Sequence, residues 1–430
     1  MIDGARDGGS PDLYRGLRRI DVVALTLNNI VGAGIFALPA ALVAAAGTQS
    51  IAVLLVAFIL VALMALCTVE VASRYDVTGG PMYYASAAFG PRAGFVVGWL
   101  MYLSRLAAFG AIAAIMLDYA TGLWPTLGAP MARAAAITVF IGTLAAFNVR
   151  GVVHGALLSN LLTVAKGLPL VLLALAGLWL SGWKAWPSAD PKGIEDLSRA
   201  LLIAFFACMG FEQAAVVAGE VRNPRRDLPV GMLGGLAVVG VLYTLLMFAC
   251  FATVPGLASS TRPLAEAAAA LVGPAGATAM SLTAALSCAG GLSASMMVTP
   301  RVLYALAAQG DLPHALARVE PIRLTPAVAI LTTAFLFWLL TVSGTFVYLA
   351  TFSVIARMLM YASTCMALIA LRRRDGAAPI PIPFGPAWAV IALLCCLVAF
   401  ATTTGTALRD VSIAVAVGWA ARVVVRRLKS

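Results

Sequence analysis

Long apolar segments separated by short polar connections dominate the chain. Each segment has about 20 residues or more, the length an α-helix needs to cross the hydrocarbon core of a bilayer. The segments are continuously apolar rather than alternating over about ten residues, which favours helices over the strands of a membrane β-barrel. The pattern predicts an all-α polytopic membrane protein with 12 transmembrane helices. They are predicted over residues 20–46, 50–73, 93–124, 131–149, 153–181, 196–219, 229–254, 273–307, 326–342, 345–371, 385–406 and 408–425.

Positive charges are distributed unevenly between the connections. Most of the 29 Lys and Arg residues fall in alternate connections, starting with the polar segment before the first helix. Cytoplasmic loops of membrane proteins carry such an excess. The distribution predicts a bacterial-type inner (plasma) membrane protein whose tails, residues 1–19 and 426–430, are both cytoplasmic. The N-terminal segment shows no removable signal peptide.

Helix-breaking residues occur at two places, five segments apart. The first segment contains Asn29, Gly32 and Gly34, and the sixth contains Gly210 shortly after Phe206. Secondary transporters built from inverted repeats bind substrate where one helix of each repeat is interrupted. Glycine also serves close helix packing, but Gly32 and Gly34 are too close together to form a GxxxG stripe. We predict two repeats and an appended helix pair, over residues 20–181, 196–371 and 385–425.

The composition supports a lipid environment and excludes several functions. The chain is 62% hydrophobic and 11% charged, whereas a soluble domain has about 25% charged residues. The net charge of +11 follows the topology, so we predict no nucleic-acid partner. The seven cysteines form no C-x-x-C pair, which predicts no metal site and no cofactor. HExxH, GxSxG and Walker A motifs are missing, so the sequence does not indicate an enzyme.

Several motifs resemble those of one transporter family. G-A-G-I-F at residues 32–36 is followed by Pro39, and G-F-E at 210–212 is followed by E-V-R-N-P-R-R at 220–226. T-G-G-P-M-Y-Y at 78–84 falls in register with them. Together they resemble the amino acid–polyamine–organocation (APC) permeases. The resemblance implies the LeuT-type fold of two inverted five-helix repeats, with helices 1 and 6 broken. It also implies an amino acid or a close relative as substrate.

The two interruptions form the predicted substrate site. An unpaired charge in a hydrocarbon interior costs about 3 kcal/mol or more, and an amino acid carries two charges. A half-helix beginning at Gly34 presents free N–H groups and a positive dipole end to the carboxylate. Half-helices ending near Ile30 and Phe206 present carbonyls to the ammonium group. The candidates are Val31, Gly32, Ala33, Gly34 and Ile35 for the carboxylate, and Ile30, Phe206, Ala207 and Met209 for the ammonium group and the pocket.

Lys166 is an ionisable residue within the fifth predicted helix, and such residues indicate function by default. In sodium-independent members of the family that the chain resembles, a lysine here replaces a sodium ion between the first and eighth helices. The resemblance implies that Lys166 contacts carbonyls near Gly32 and hydroxyls such as that of Ser287. The alternative is a lysine that extends to the membrane surface.

Four further polar residues have open interpretations. Glu212 is either a proton sensor, as suspected for the glutamate of the arginine/agmatine antiporters that the chain resembles, or a structural ion-pair partner. Arg105 binds a substrate carboxylate, pairs with Glu212 or has another partner, and the role of Arg357 is equally open. Asn29 is a candidate for substrate selectivity together with Arg105. For Phe206 the resemblance implies an aromatic lid, and ordinary packing is the alternative.

The sequence therefore predicts a secondary active amino acid transporter that works by alternating access. We expect it to be sodium-independent and either proton-coupled or an exchanger, with the substrate, the lipid bilayer and, in the first case, a proton as partners. Arg105 and Lys166 would repel a cation, so a neutral amino acid is favoured. An acidic amino acid paired with Arg105 comes next. Polyamines, cationic amino acids and a non-transporting amino-acid receptor are further alternatives.

Overall fold

The computed structural model describes residues 18–75, 80–150, 155–181, 193–216, 221–320, 325–401 and 405–428. These ranges are almost entirely helical, and no β-sheet forms within them. The helices are α1 (Arg19–Ile30), α2 (Gly34–Ala46), α3 (Ser50–Ala72), α4 (Pro81–Phe89), α5 (Pro91–Thr121), α6 (Pro130–Arg150), α7 (Gly155–Ser181), α8 (Ile194–Cys208), α9 (Glu212–Val216), α10 (Pro224–Thr253), α11 (Pro263–Val272), α12 (Pro274–Ala308), α13 (Ala327–Ser343), α14 (Phe346–Asp375), α15 (Gly385–Ala401) and α16 (Gly405–Arg427).

The all-α prediction is confirmed, and the helices follow the predicted apolar segments closely. Among the described residues, 6 helical stretches are long and apolar enough to cross a bilayer, the first of which joins α2 to α3. These stretches are Gly34–Ala72, Pro91–Thr121, Pro130–Arg150, Arg226–Thr253, Pro274–Ala308 and Phe346–Asp375. Large apolar side chains such as Ile59, Val139 and Phe335 are more than half exposed, which suits a surface that faces lipid.

Two short helices lie in what the hydropathy pattern treats as connections. Both α4, of 9 residues, and α11, of 10 residues, begin with a proline at the first helical position and end at a glycine of positive φ. Proline is preorganised for a helix start and glycine for a helix end. Neither helix is long enough to cross a bilayer, which is why a search for membrane spans does not detect them.

The long helix α5 occupies the middle of the packing. It lies against α14 and α12 over much of its length and also contacts α13. The interrupted pair α1–α2 packs on α10 and α8, and α8 in turn packs on α3. The buried apolar residues of these helices form one large core cluster and a second cluster between α5, α6, α12 and α13. The two helix interruptions therefore lie inside the protein, beside α5 and α14.

Two buried carboxylates fix helix ends to each other. Glu70, in the last turn of α3, accepts both Nε–H and Nη2–H of Arg372 and the backbone N–H of Ile382. Asp311, just after α12, accepts from Arg422 at 2.8 Å and from Arg426 at 2.8 Å. Asp311 explains how α16 accommodates the buried Arg422, because the carboxylate compensates the charge of the arginine.

Candidate functional site

The first interruption separates α1 from α2. Helix α1 ends at Ile30, residues 31–33 are non-helical, and α2 begins at Gly34. The Gly32 N–H turns back to the Ile30 carbonyl at 2.7 Å. No side chain caps the start of α2. The Phe36 N–H turns back to the Ala33 carbonyl at 3.1 Å, and the N–H groups of Gly34 and Ile35 precede the first intrahelical bonds. A helix start of this kind is suited to an anion.

The second interruption separates α8 from α9. Helix α8 ends at Cys208 and α9 begins at Glu212. Gly210 has a φ of 128°, outside the range that other residues adopt easily, and its N–H donates to Glu212 Oε2 at 3.1 Å. That bond diverts the Gly210 N–H from the carbonyl of Phe206, four residues earlier. The last carbonyls of α8 are thereby available to a cationic group.

The two interruptions pack directly on each other. A Cβ atom on Gly34 would lie 2.9 Å from the Cα of Ala207, and one on Gly210 would lie 2.8 Å from the carbonyl oxygen of Asn29. A Cβ on Gly32 would meet nothing closer than 3.8 Å. Gly34 and Gly210 therefore allow the two broken helices to touch, whereas a methyl group at position 32 would make only ordinary van der Waals contacts.

The other predicted pocket residues differ in accessibility. Six of them are buried: Ile30, Val31, Ala33, Ile35, Ala207 and Met209. Gly32 and Phe206 are half-buried, and the Phe206 ring stands edge-on to Phe346 with centroids 5.9 Å apart. The Ile30 carbonyl already accepts from the Tyr243 hydroxyl at 2.9 Å as well as from Gly32. We therefore expect the carbonyl end of α8 to carry more of an ammonium contact than Ile30 does.

Lys166 reaches the carbonyl end of α1. Its Nζ donates to the Asn28 carbonyl at 3.1 Å, and the residue is 8% exposed. This carbonyl is four residues before Gly32. The Ser287 hydroxyl has no hydrogen-bond partner among the described residues, so it does not bond to Lys166 as the resemblance implies. The Cys288 side chain of α12 lies near the ammonium group. Lys166 is therefore placed between α1 and α12 rather than at the surface.

Glu212 is held by three donors at the start of α9. Its Oε2 accepts from the Tyr361 hydroxyl at 2.6 Å in addition to Gly210, and its Oε1 lies 3.6 Å from Nη1 of Arg357. The Nε of Arg357 donates to the hydroxyl of Ser104 at 2.9 Å. The structure thus gives Glu212 the ion-pair partner that the sequence left open, and the partner is Arg357 rather than Arg105.

Arg105 lies on α5 beside this network but outside it. It is half-buried, and the charges of Arg357 and Glu212 act on it. Among the described residues none forms a hydrogen bond or ion pair with its guanidinium. Sequence reasoning missed Tyr361, which lies one helical turn after Arg357, a spacing that puts both on one helix face. In the described ranges, no group of three or more His, Cys, Asp or Glu side chains is placed to hold a metal ion.

Apolar helices of membrane-spanning length and two helices broken at a shared point define a multi-pass membrane protein of the transporter type. The family model for amino acid permeases matches residues 17–421 of the chain. The chain therefore belongs to the amino acid permease family, within the APC transporters that its motifs resemble.

Relatives from bacteria and a mammal are similar over most of their length. The chain is 27% identical to the serine/threonine exchanger SteT of Bacillus subtilis over 325 residues, which are 72% of this chain and 72% of that protein. Identity to the branched-chain amino acid permease BcaP of Bacillus subtilis is 26% over 352 residues, 76% and 74% of the two chains. The b(0,+)-type amino acid transporter 1 of Mus musculus is 26% identical over 382 residues, 84% of this chain and 77% of that protein.

Proposed function

We propose that the protein is a sodium-independent secondary transporter of amino acids that binds its substrate between the two helix interruptions. The observation that carries the proposal is the contact of the uncapped start of α2 with the carbonyl end of α8, through Gly34 and Ala207. The contact supports the proposal because the start of a helix suits a carboxylate and the end of a helix suits an ammonium group. All amino acids carry both groups, so these contacts do not determine which amino acid binds. That selectivity depends on the residues around the substrate side chain.

Sodium independence rests on Lys166. Its ammonium group lies at the carbonyl end of α1, where the partial negative charge of a helix terminus favours a cation. A sodium ion bound there would be repelled by this fixed positive charge. Lys166 thus supports the ion-mimic role inferred from the resemblance. Coupling is then to a proton or to a counter-substrate, and Glu212 keeps its two interpretations, of which the three donors favour the structural one.

The topology completes the proposal. We assign twelve transmembrane helices in the LeuT-type arrangement, with α1–α2 and α8–α9 as the broken first and sixth helices and α15 and α16 as the appended pair. The excess of Lys and Arg in alternate connections supports cytoplasmic termini in a bacterial inner membrane. Transport by alternating access follows from a site at the middle of the bilayer between repeats.

The test is uptake of labelled amino acids into proteoliposomes, with and without preloaded unlabelled amino acids, in sodium or in potassium buffer. We expect uptake of at least one amino acid at equal rates in the two buffers. Strict dependence on a sodium gradient would contradict the assignment of Lys166. Absence of uptake and of ligand-induced thermal stabilisation across twenty amino acids would contradict the transporter assignment.

A further inference from the structure

An uncompensated positive charge lies beside the proposed substrate site. Arg105 belongs to the apolar helix α5 and is half-buried, yet no described residue pairs with its guanidinium. Charged residues within membrane helices are rare because they are costly, and those that occur are normally paired or face a cavity. Half-buried and without a described partner, the guanidinium is accessible to a counter-charge that a substrate brings.

The neighbouring charges do not supply one. Arg357 compensates Glu212 at 3.6 Å, and Tyr361 and Gly210 donate to the same carboxylate. Arg105, Arg357 and Glu212 together carry one net positive charge. Lys166 is itself positively charged and contacts the carbonyl end of α1. It therefore provides no counter-charge for Arg105.

Arg105 lies on the face of α5 that is turned toward the broken first helix. Arg105, Ile112 and Tyr119 are seven residues apart on α5, a spacing that puts them on one face of the helix. The Tyr119 hydroxyl donates to the Phe36 carbonyl of α2 at 2.8 Å. The face of α5 that carries Arg105 is therefore directed toward the helix that begins at the first interruption.

We propose that Arg105 binds an anionic group on the substrate side chain, so that the site prefers acidic amino acids over their neutral isosteres. The inference rests on the proposed function, because the interruptions must hold the ammonium group and the α-carboxylate first. An acidic amino acid brings one net negative charge, which balances the net positive charge of the three residues. The planar guanidinium fork matches a carboxylate with two parallel hydrogen bonds. An acidic substrate replaces the neutral amino acid that the sequence alone favours.

Glutamate and glutamine provide the test, because they share shape and differ in charge. Each is used unlabelled, over a range of concentrations, to compete with uptake of a labelled amino acid into proteoliposomes, and aspartate and asparagine are compared in the same way. We expect glutamate to compete at least about tenfold better than glutamine, the size of one charge-assisted hydrogen-bonded contact. In Arg105→Gln the preference should disappear or reverse. Arg409→Gln, an exposed change on α16 whose partner is the adjacent Asp410, should keep it.

The outcomes separate this inference from the proposed function. Wild-type protein that transports neutral amino acids and takes glutamate no better than glutamine overturns the inference and leaves the transporter assignment intact. An unchanged preference in Arg105→Gln also overturns it. If Arg105→Gln is not recovered as folded protein, the test rests on the preference of wild type for glutamate over glutamine and on the variant Arg105→Lys. The lysine variant should retain part of that preference because it keeps the charge. Failure of every amino acid to bind overturns the function and the inference together.

Discussion

The contact between the two interruptions predicts a specific stability difference between two glycine substitutions. In Gly34→Ala the new methyl group would lie 2.9 Å from the Cα and 3.1 Å from the Cβ of Ala207. Backbone atoms cannot rotate away as the end of a long side chain does, so α2 and α8 must separate. In Gly32→Ala the nearest atom is 3.8 Å away, an ordinary van der Waals distance. Neither glycine has a positive φ, so alanine fits the backbone at both positions.

The magnitude follows from the difference between the pair. Replacing glycine by alanine where the backbone permits it stabilises a protein by about 0.4–1 kcal/mol through the unfolded chain, and this contribution is the same for both variants. Inserting a methyl group into a packed contact costs about 1–3 kcal/mol. Gly34→Ala should therefore be less stable than Gly32→Ala by about 1–3 kcal/mol.

Unfolding in mixed micelles with increasing denaturing detergent, followed by circular dichroism, measures this difference. Amino acid binding to the same preparations adds a second readout, because the Gly32 methyl would occupy space in the proposed substrate site. Gly32→Ala should be more stable than wild type, by about 0.4–1 kcal/mol, and should bind substrate more weakly. Equal stability of the two alanine variants would refute the packing argument, and wild-type affinity of Gly32→Ala would refute the assignment of Gly32 to the substrate site.

Three further substitutions test the buried charges. Lys166→Met removes the contact with the Asn28 carbonyl, and uptake should fall at least about tenfold, the loss expected for one charged hydrogen bond; a wild-type rate would exclude a coupling role. Glu70→Gln leaves Arg372 without its buried carboxylate, so the free energy of unfolding should fall by about 3–5 kcal/mol; unchanged micelle unfolding would contradict this. Asp311→Asn removes the partner of two arginines on α16, and limited proteolysis should then cleave near the C-terminal end faster than in wild type.

The sequence predicts the helix positions and the two interruptions because both follow from local rules. Length and apolarity define a membrane helix, and Gly32, Gly34 and Gly210 mark where the helices break. The sequence does not show which residue each glycine contacts. We predict Gly34 as the start of a half-helix that presents N–H groups to the substrate, and the structure shows that its missing Cβ also allows α2 to approach Ala207. Such a contact joins residues far apart in the chain, so no local pattern reveals it.

Ion pairing shows the same limit. Glu212 and Arg105 are the obvious charged residues of the site, and pairing between them is one of the interpretations that the sequence allows. The structure instead pairs Glu212 with Arg357, because α14 presents Arg357 and Tyr361 on one face toward the start of α9. The relative rotation of α5 and α14 determines which arginine pairs with the Glu212 carboxylate. The hydropathy pattern does not determine that rotation.

The network also indicates how a substrate would favour a closed site. Arg357 is bound to Ser104 of α5 at 2.9 Å but to Glu212 at 3.6 Å, longer than the roughly 2.7–2.9 Å of a tight charged hydrogen bond. Arg357 is thus bonded more closely to α5 than to the broken helices, and its contact with Glu212 is the weaker link. A substrate shifts a conformational equilibrium only by its difference in affinity for the two states. An amino acid held by the start of α2 at one end and by Arg105 at the other would add a second link between the same two groups of helices. The acidic substrates that we propose would therefore stabilise the closed state more than neutral ones of equal size.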